Sequence, residues 1–414
     1  MRKSADVAIL MQPDFNQIEL LFPSRIDDWK QWEKQSRPDI PFSDVVIAFL
    51  NALSGSLLKD KLSREYPDVV TFAFFCRKAN LLALKDLYSE EQLRLGRGIL
   101  FHIAPSNVPV NFGYSLVAGL LSGNHNIVRV SSKNFVQVEM IIRHINELSQ
   151  KEEFKEISER IVVLRYDREN NVATQFFSAI CNVRVIWGGD ESITRIRKSL
   201  LPARSFDVTF SDRYSLSVIN ADQFVNEANV LKIAEGFYND TYLFDQNACS
   251  APHLMVWTGS KENVKKSREK FWGMLYKEVH KKYEFQPVMA IDKLTAFYTQ
   301  SVHMPVTKEN TPDNSLVRVE LKELLPGIEN FRSAGGYFSE YTASSLDDIL
   351  PIINNKYQTL AYYGMDKDIL SNFVLDHRIK GIDRIVPIGS TTNFSLTWDG
   401  YNLIKTFTRE CDIL

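Results

Sequence analysis

Cysteine is scarce in this chain. The four in 414 residues, Cys76, Cys181, Cys249 and Cys411, are too few and too scattered for a disulfide framework or a paired-cysteine zinc motif, so a reducing cytoplasm is the expected setting. The seven histidines occur singly, with no pair at helical ligand spacing and no histidine-carboxylate motif, and no metal site is expected. Charge of one sign is also lacking. A formal net charge of -2 gives no broad field for nucleic acid or an anionic membrane surface, so any bound anion has to be held by local groups. No apolar run approaches the roughly eighteen residues of a membrane span. The opening "MRKSADVAILMQPDF" has its short apolar run interrupted by Asp6, with no small-residue cleavage pattern after it, so no signal peptide is expected. The glycine-rich dinucleotide fingerprint is missing too, because Gly96 and Gly98 precede a strand instead of following one.

What is present is a large apolar fraction in an alternating order. At 44% hydrophobic and 24% charged, the chain can bury a substantial core, and its length suits two or three domains. The first ninety or so residues read as helical, with "FSDVVIAFLNALSGSLLKDKL" opening on Ser43-Asp44 as a cap. From Gly96 onward, strands such as "ILFHIA", "NIVRVS", "RIVVLRY" and "VRVIW" alternate with amphipathic helices. That pattern predicts an α/β fold with a mainly parallel sheet covered on both faces. A second α/β pattern follows "YSLSVIN". The expected organisation is a helical segment at 1–95 packing on a nucleotide domain at 96–225, a catalytic domain at 226–385, and a C-terminal segment at 386–414. This last segment suits either an oligomer contact or a core role.

Ligands in parallel α/β sheets bind beyond the carboxyl ends of strands, and three loops there stand out: "APSNVP", "VSSKN" and "WGGDES". Each joins a strand to a helix N-terminus, which offers free backbone N-H groups to a phosphate or oxyanion. Taken singly, each is also what ordinary turn capping produces. Together they mark a nucleotide site. Its strand-end wall is Ile103, Ala104, Pro105 and Ser106; Arg129, Ser131, Ser132 and Lys133 serve the adenosine side, and Gly188-Gly189 allows close backbone approach to a pyrophosphate. The remaining outlier is "FDQNACSAPH", where Cys249 sits in a polar, turn-prone setting unlike the usual burial site of a reduced cysteine.

The blocks "GRGILFHIAPSNVPVNFGYSLVAGLLSGNHNIVRVSSKNF", "VIWGGDESI", "FDQNACSAP", "RIVPIG" and "WDGYNLI" together resemble the LuxC-type acyl-CoA (fatty acid) reductases, a divergent branch of the aldehyde dehydrogenase superfamily. The resemblance covers roughly residues 90 to 414. It implies an aldehyde-dehydrogenase-like fold, with a Rossmann-type nucleotide domain facing an α/β catalytic domain and the nucleophilic cysteine in the cleft between them. It implies Cys249 as nucleophile, and Asn107, in the superfamily's Pro-x-Asn-x-Pro block, as the amide donor to the oxyanion. The superfamily's ribose-binding lysine and glutamate fall on Arg129 and Ser132, with Lys133 alongside. That exchange removes a carboxylate and leaves two cations, which favours NADPH.

Two departures from the superfamily are informative. Its Gly-Gln-x-Cys block reads Gln246-Asn247-Ala248-Cys249 here, and its general-base glutamate is replaced around Thr209, Phe210 and Ser211. Without that carboxylate, hydrolysis of an acyl-enzyme is expected to be slow. The expected activity is NADPH-dependent reduction of a fatty acyl thioester, on CoA or on a protein, to the aldehyde through an S-acyl cysteine. The base for Cys249 stays open between His253, His102 and neither. The resemblance also implies acyl-protein synthetase and acyltransferase partners and a homo-oligomer. Two alternatives stand beside this reading: a cysteine-dependent acyltransferase or thioesterase without redox chemistry, and a catalytically silent scaffold for an acyl-activating enzyme.

Overall fold

Runs of apolar residues too short for helices and flanked by turn formers become strands buried on both faces. The computed structural model describes residues 12–88 and 92–413. It divides into two compact units, Met1–Ser211 with Tyr401–Leu414, and Asp212–Gly400.

The strands of the first unit up to residue 211 are β1 (Glu19–Phe22), β2 (Arg94–Gly96), β3 (Ile99–Ile103), β4 (His125–Val130), β5 (Ile161–Arg165), β6 (Val183–Trp187) and β7 (Phe206–Phe210). Six of them form one sheet in the order β1-β5-β4-β3-β6-β7. Strands β3 to β7 run parallel, and β1 lies antiparallel on β5. The chain thus moves outward from β3 through β4 to β5, then returns to the other side of β3 for β6 and β7. This reversal creates a switch point between β3 and β6. The helices Asn111–Leu121, Val136–Ser149 and Asn171–Ile180 form the crossovers that parallel pairing requires. The N-terminal segment supplies the expected helices, among them Asp44–Lys59 and Pro67–Phe75, but also β1. That strand is fixed to β5 by backbone pairing and by the Arg165–Glu19 ion pair at 3.0 Å.

The second unit contains β8 (Tyr214–Asn220), β9 (Pro252–Thr258), β10 (Val306–Lys308), β11 (Val317–Leu321), β12 (Tyr337–Thr342), β13 (Tyr357–Tyr363) and β14 (Arg384–Pro387). They form a seven-stranded sheet in the order β10-β11-β12-β9-β8-β13-β14, parallel except for β10 on β11. All seven residues of β9 are buried. The buried carboxylate of Glu340 is held by the indoles of Trp257 (3.0 Å) and Trp272 (2.8 Å) and by Arg318 (2.5 Å), so burying it leaves no bare charge. Two sequence expectations are modified locally. The helix read over "DQFVNEANVLKIAEGFY" is broken into Ala221–Phe224 and Val230–Thr241, with Asn229 capping the second piece. "DDILPIINN" forms a 3-10 segment, Leu346–Ile352, because Pro351 inside it cannot donate a helical hydrogen bond. Among the described residues, no helix is long and apolar enough to cross a membrane.

Candidate active site

The three strand-end loops open from one edge of the first sheet. Ile103 on β3 is in register with Arg129 on β4 and with Ile186 on β6, so the segments after these strands leave the sheet side by side. Ile103 and Ala104 are buried, Pro105 is half-buried, and Ser106 and Asn107 are exposed ahead of the helix Asn111–Leu121. After β4, buried Ser131 makes a tight turn in which its Oγ accepts from the Lys133 N-H at 3.1 Å, leaving Ser132 and Lys133 exposed. The Arg129 guanidinium donates to the Tyr166 carbonyl at 3.1 Å and lies over the Tyr166 ring, while its Nε is buried without a partner. Beyond β6, Gly188 donates its N-H to the Phe210 carbonyl at 3.1 Å. Nothing lies within 4 Å of the position a Cβ would take at Gly189, whose φ of -65° is open to any residue. The fold itself does not require a glycine there.

His102 is not available as a base. Its Nδ1 is 2.7 Å from Ser115 Oγ and its Nε2 is 3.0 Å from Asn126 Oδ1; burial lowers its pKa to about 4. Ser115 Oγ also accepts from the Trp187 indole at 3.0 Å, so the histidine belongs to a closed polar network inside the first unit. Trp187 stacks on Phe210 with ring centroids 3.7 Å apart. Thr209, Phe210 and Ser211, where the resemblance implies a missing glutamate base, thus lie at the end of β7, with Phe210 a packed aromatic ring.

Cys249 lies in the second unit, at the tip of a turn closed by the Ala251 N-H on the Ala248 carbonyl at 2.9 Å, just before β9. The preceding chain reverses direction through two left-handed residues, Asp245 (φ 51°) and Gln246 (φ 59°). A side chain rarely adopts this conformation without compensation, and Gln246 is fully compensated. Its buried amide donates to the carbonyls of Pro252 (2.9 Å) and Tyr337 (3.1 Å), and accepts from the N-H groups of Gly336 (2.8 Å) and Tyr337 (3.1 Å). The loop before Cys249 is thus held by the Gln246 side chain. The Ser215 hydroxyl on β8 donates to the Cys249 carbonyl at 2.7 Å and fastens the turn to the sheet.

The sulfur faces groups that sequence reading did not identify. Gln358 Nε2 donates to Cys249 Sγ at 3.2 Å and, with its other hydrogen, to Asp399 Oδ1. Asp399 is almost wholly buried, 3.9 Å from Arg213, which also pairs with Asp383. Two pairing slips bring these groups together. The register passes from Tyr357↔Tyr214 to Leu360↔Leu216, leaving one extra residue on β13, and from Ser215↔Pro252 to Leu216↔Leu254, leaving one extra on β9. Bulges of this kind re-aim side chains. Burial, followed by the Asp399 charge, pushes the Cys249 thiol up to about 12, against the opposing pull of Gln358 and Arg213. His253 is buried and stacked on Tyr214, its Nδ1 has no partner, and burial with the nearby Arg332 charge lowers its pKa to about 3. Its ring is bonded to the Gln246 backbone, so it braces the loop. Cys76 and Cys181 are buried, and burial raises both thiols.

Comparison with known proteins shows the family and the fold. The sequence profile of the acyl-CoA reductase (LuxC) family matches residues 74–308. A long-chain acyl-protein thioester reductase from Vibrio harveyi is 24% identical over 303 residues, covering 72% of this chain and 60% of the relative. The chain thus spans about 60% of the length of the curated relatives it matches. Among solved structures, aldehyde dehydrogenase 21 from Physcomitrella patens superposes with a TM-score of 0.64 at 10% identity, over 88% of this chain and 84% of the other. A 1-pyrroline-5-carboxylate dehydrogenase from Thermus, solved with bound NAD, gives 0.60 at 15% identity over 92% and 82%. The fold is that of an aldehyde dehydrogenase, and the chain belongs to the LuxC family of acyl-CoA reductases.

Proposed function

We propose that this protein reduces a fatty acyl thioester to the aldehyde, using Cys249 as nucleophile and NADPH as reductant. The observation that carries this reading is Cys249 itself: a cysteine at a turn tip, braced by Gln246 and Ser215, with a hydrogen-bond donor aimed at its sulfur. A cysteine serving only as core filler has no use for that arrangement.

In the first step Cys249 sulfur attacks the acyl carbon, the bond to the carrier thiol breaks, and the proton from Cys249 ends on the departing thiol. The products are an S-acyl cysteine and the free carrier. NADPH, when bound, supplies the hydride that this S-acyl group needs to reach the aldehyde level. The thiohemiacetal on Cys249 then breaks its C–S bond, releasing aldehyde, and the sulfur takes back a proton. We assign Asn107 to the developing oxyanion at each stage.

The first unit's loops suit a nicotinamide dinucleotide. Gly188-Gly189 would take the pyrophosphate, with the Ile103 to Ser106 wall beside it, and the exposed Ser132 and Lys133 with Arg129 would take the ribose phosphate. A cation beside a serine, with no carboxylate in the Ser131 to Lys133 turn, favours a 2'-phosphate. The acyl donor is a thioester of CoA or of a protein, the latter suggested by the relatives named long-chain acyl-protein thioester reductase. A homo-oligomer and a synthetase partner belong to the same reading.

The test is to mix the purified chain with acyl-CoA of graded length and follow NADPH and NADH absorbance in parallel with aldehyde. Aldehyde formed in step with NADPH loss supports the proposal. Thioester consumed without either nucleotide would instead make this a cysteine acyltransferase or thioesterase.

A further inference from the structure

Cys249 has no imidazole on its sulfur, yet its immediate partner is not incidental. Gln358 is buried on β13 at the pairing slip, and every polar atom of its amide is engaged. Oε1 accepts from the Thr359 hydroxyl at 3.2 Å; the two hydrogens on Nε2 go to Asp399 Oδ1 and to Cys249 Sγ. An amide flipped the other way would set its oxygen against the Asp399 carboxylate and against the sulfur. Asp399 thus decides which end of the amide the sulfur meets.

Asp399 is itself fixed. It sits at φ 48° directly before Gly400, a turn that points its carboxylate inward, and it faces Arg213, which is braced by Asp383. Within the second unit, the charged groups that act on Cys249 are Asp399, opposing the thiolate, and Arg213 and Arg384, favouring it. Arg384 is held in place by the carbonyls of Ser390 (3.0 Å), Thr391 (2.6 Å) and Asn393 (2.6 Å). The Gln358 N-H contacts the sulfur directly, beside the backbone N-H of Cys249 itself, and a donor in contact with a thiolate stabilises it more than a neutral thiol.

We propose that Gln358 is a catalytic residue that holds the Cys249 thiolate, and that Asp399, anchored by Arg213, is the positioning residue that fixes the donating end of its amide. This rests on Cys249 being the nucleophile. When the sulfur becomes acylated it turns into a poor acceptor, and the same N-H is released beside the acyl carbon.

The experiment measures the rate of iodoacetamide alkylation of Cys249 against pH, with the labelled peptide identified by mass, beside aldehyde formation from acyl-CoA and NADPH. Gln358→Met removes the donor at similar volume, and alkylation at a fixed pH near 8 is expected to slow about tenfold, with kcat falling in parallel. Should Gln358→Met fail to fold by circular dichroism, the double variant Gln358→Glu with Asp399→Asn keeps the volume and the hydrogen bond between the two positions. It turns an acceptor toward the sulfur, and the same slowing is expected. A rate and pH profile unchanged from wild type in either folded variant would overturn the role of Gln358. Failure of the nucleophile assignment looks different: Cys249→Ala would then still make aldehyde.

Discussion

Gln246 pairs both ends of its side-chain amide with the backbone of one residue, Tyr337, donating to its carbonyl and accepting from its N-H, each at 3.1 Å. This clasp ties the loop before Cys249 to β12. Gln246→Ala leaves the Gly336 and Tyr337 N-H groups and the Pro252 and Tyr337 carbonyls buried without partners, and about 3 kcal/mol of stability is expected to be lost. Gln246→Gly suits the left-handed backbone but loses the same bonds, so it is expected to recover only about 1 kcal/mol of that. Chemical denaturation of the three proteins checks both values.

Asn107 is exposed in the loop after β3 and is assigned to the oxyanion. Asn107→Ala is expected to lower kcat about a hundredfold while KM for acyl-CoA changes little, because the interaction strengthens only as charge develops on the oxygen. Steady-state kinetics with one acyl-CoA at saturating NADPH checks this. A raised KM at unchanged kcat would place Asn107 in substrate binding alone.

Cofactor choice is assigned to the turn Ser131 to Lys133. Lys133→Ala is expected to raise KM for NADPH about tenfold and to leave NADH use nearly untouched, since only the former carries the extra phosphate. Ser132→Glu is expected to reverse the preference by restoring a carboxylate to this turn. Parallel titrations of both nucleotides read out the two variants.

His253 makes stability depend on pH. Its pKa falls from 6.5 unfolded to about 3 folded because it is buried, next to the Arg332 charge. The unfolded chain takes up a proton as pH drops through 6.5, the folded chain does not until about 3, and stability is therefore lost across that interval on acidification. His253→Phe keeps the stacking on Tyr214 but loses the bond to the Gln246 backbone at every pH. Its stability at neutral pH is expected to drop, while its further loss between neutral pH and about pH 5 should be about 2 kcal/mol smaller than that of wild type. Unfolding curves at the two pH values separate these effects.

The parts of the fold that sequence made legible share a cause. Strands β3, β5 and β6 are mostly apolar, and the loops after β3, β4 and β6 carry the Asn, Ser and Gly that strand-to-helix turns favour. Where Tyr214–Asn220 belongs was not legible, because an apolar strand looks the same in either sheet; the structure pairs it with β9 and β13. The strand β1 was hidden for a similar reason, being a short apolar stretch inside a helical region. At the site, Cys249 was conspicuous in its polar turn. Gln358 was not, since in "YQTLAYY" it reads as an outward polar residue of a strand, and only the one-residue slip against β8 turns it toward the sulfur. Asp399 stood within a family motif, "WDGYNLI", but its left-handed backbone and its distant partner leave no local signature.

The claim on which the others depend is that Cys249 carries the acyl group. Intact-protein mass spectrometry after mixing the chain with a fatty acyl-CoA, without nucleotide, should show one added acyl group, mapped by peptide digestion to Cys249. Addition of NADPH should discharge it with formation of one equivalent of aldehyde. Acylation at another residue, or aldehyde formation by Cys249→Ala at the wild-type rate, would contradict the account.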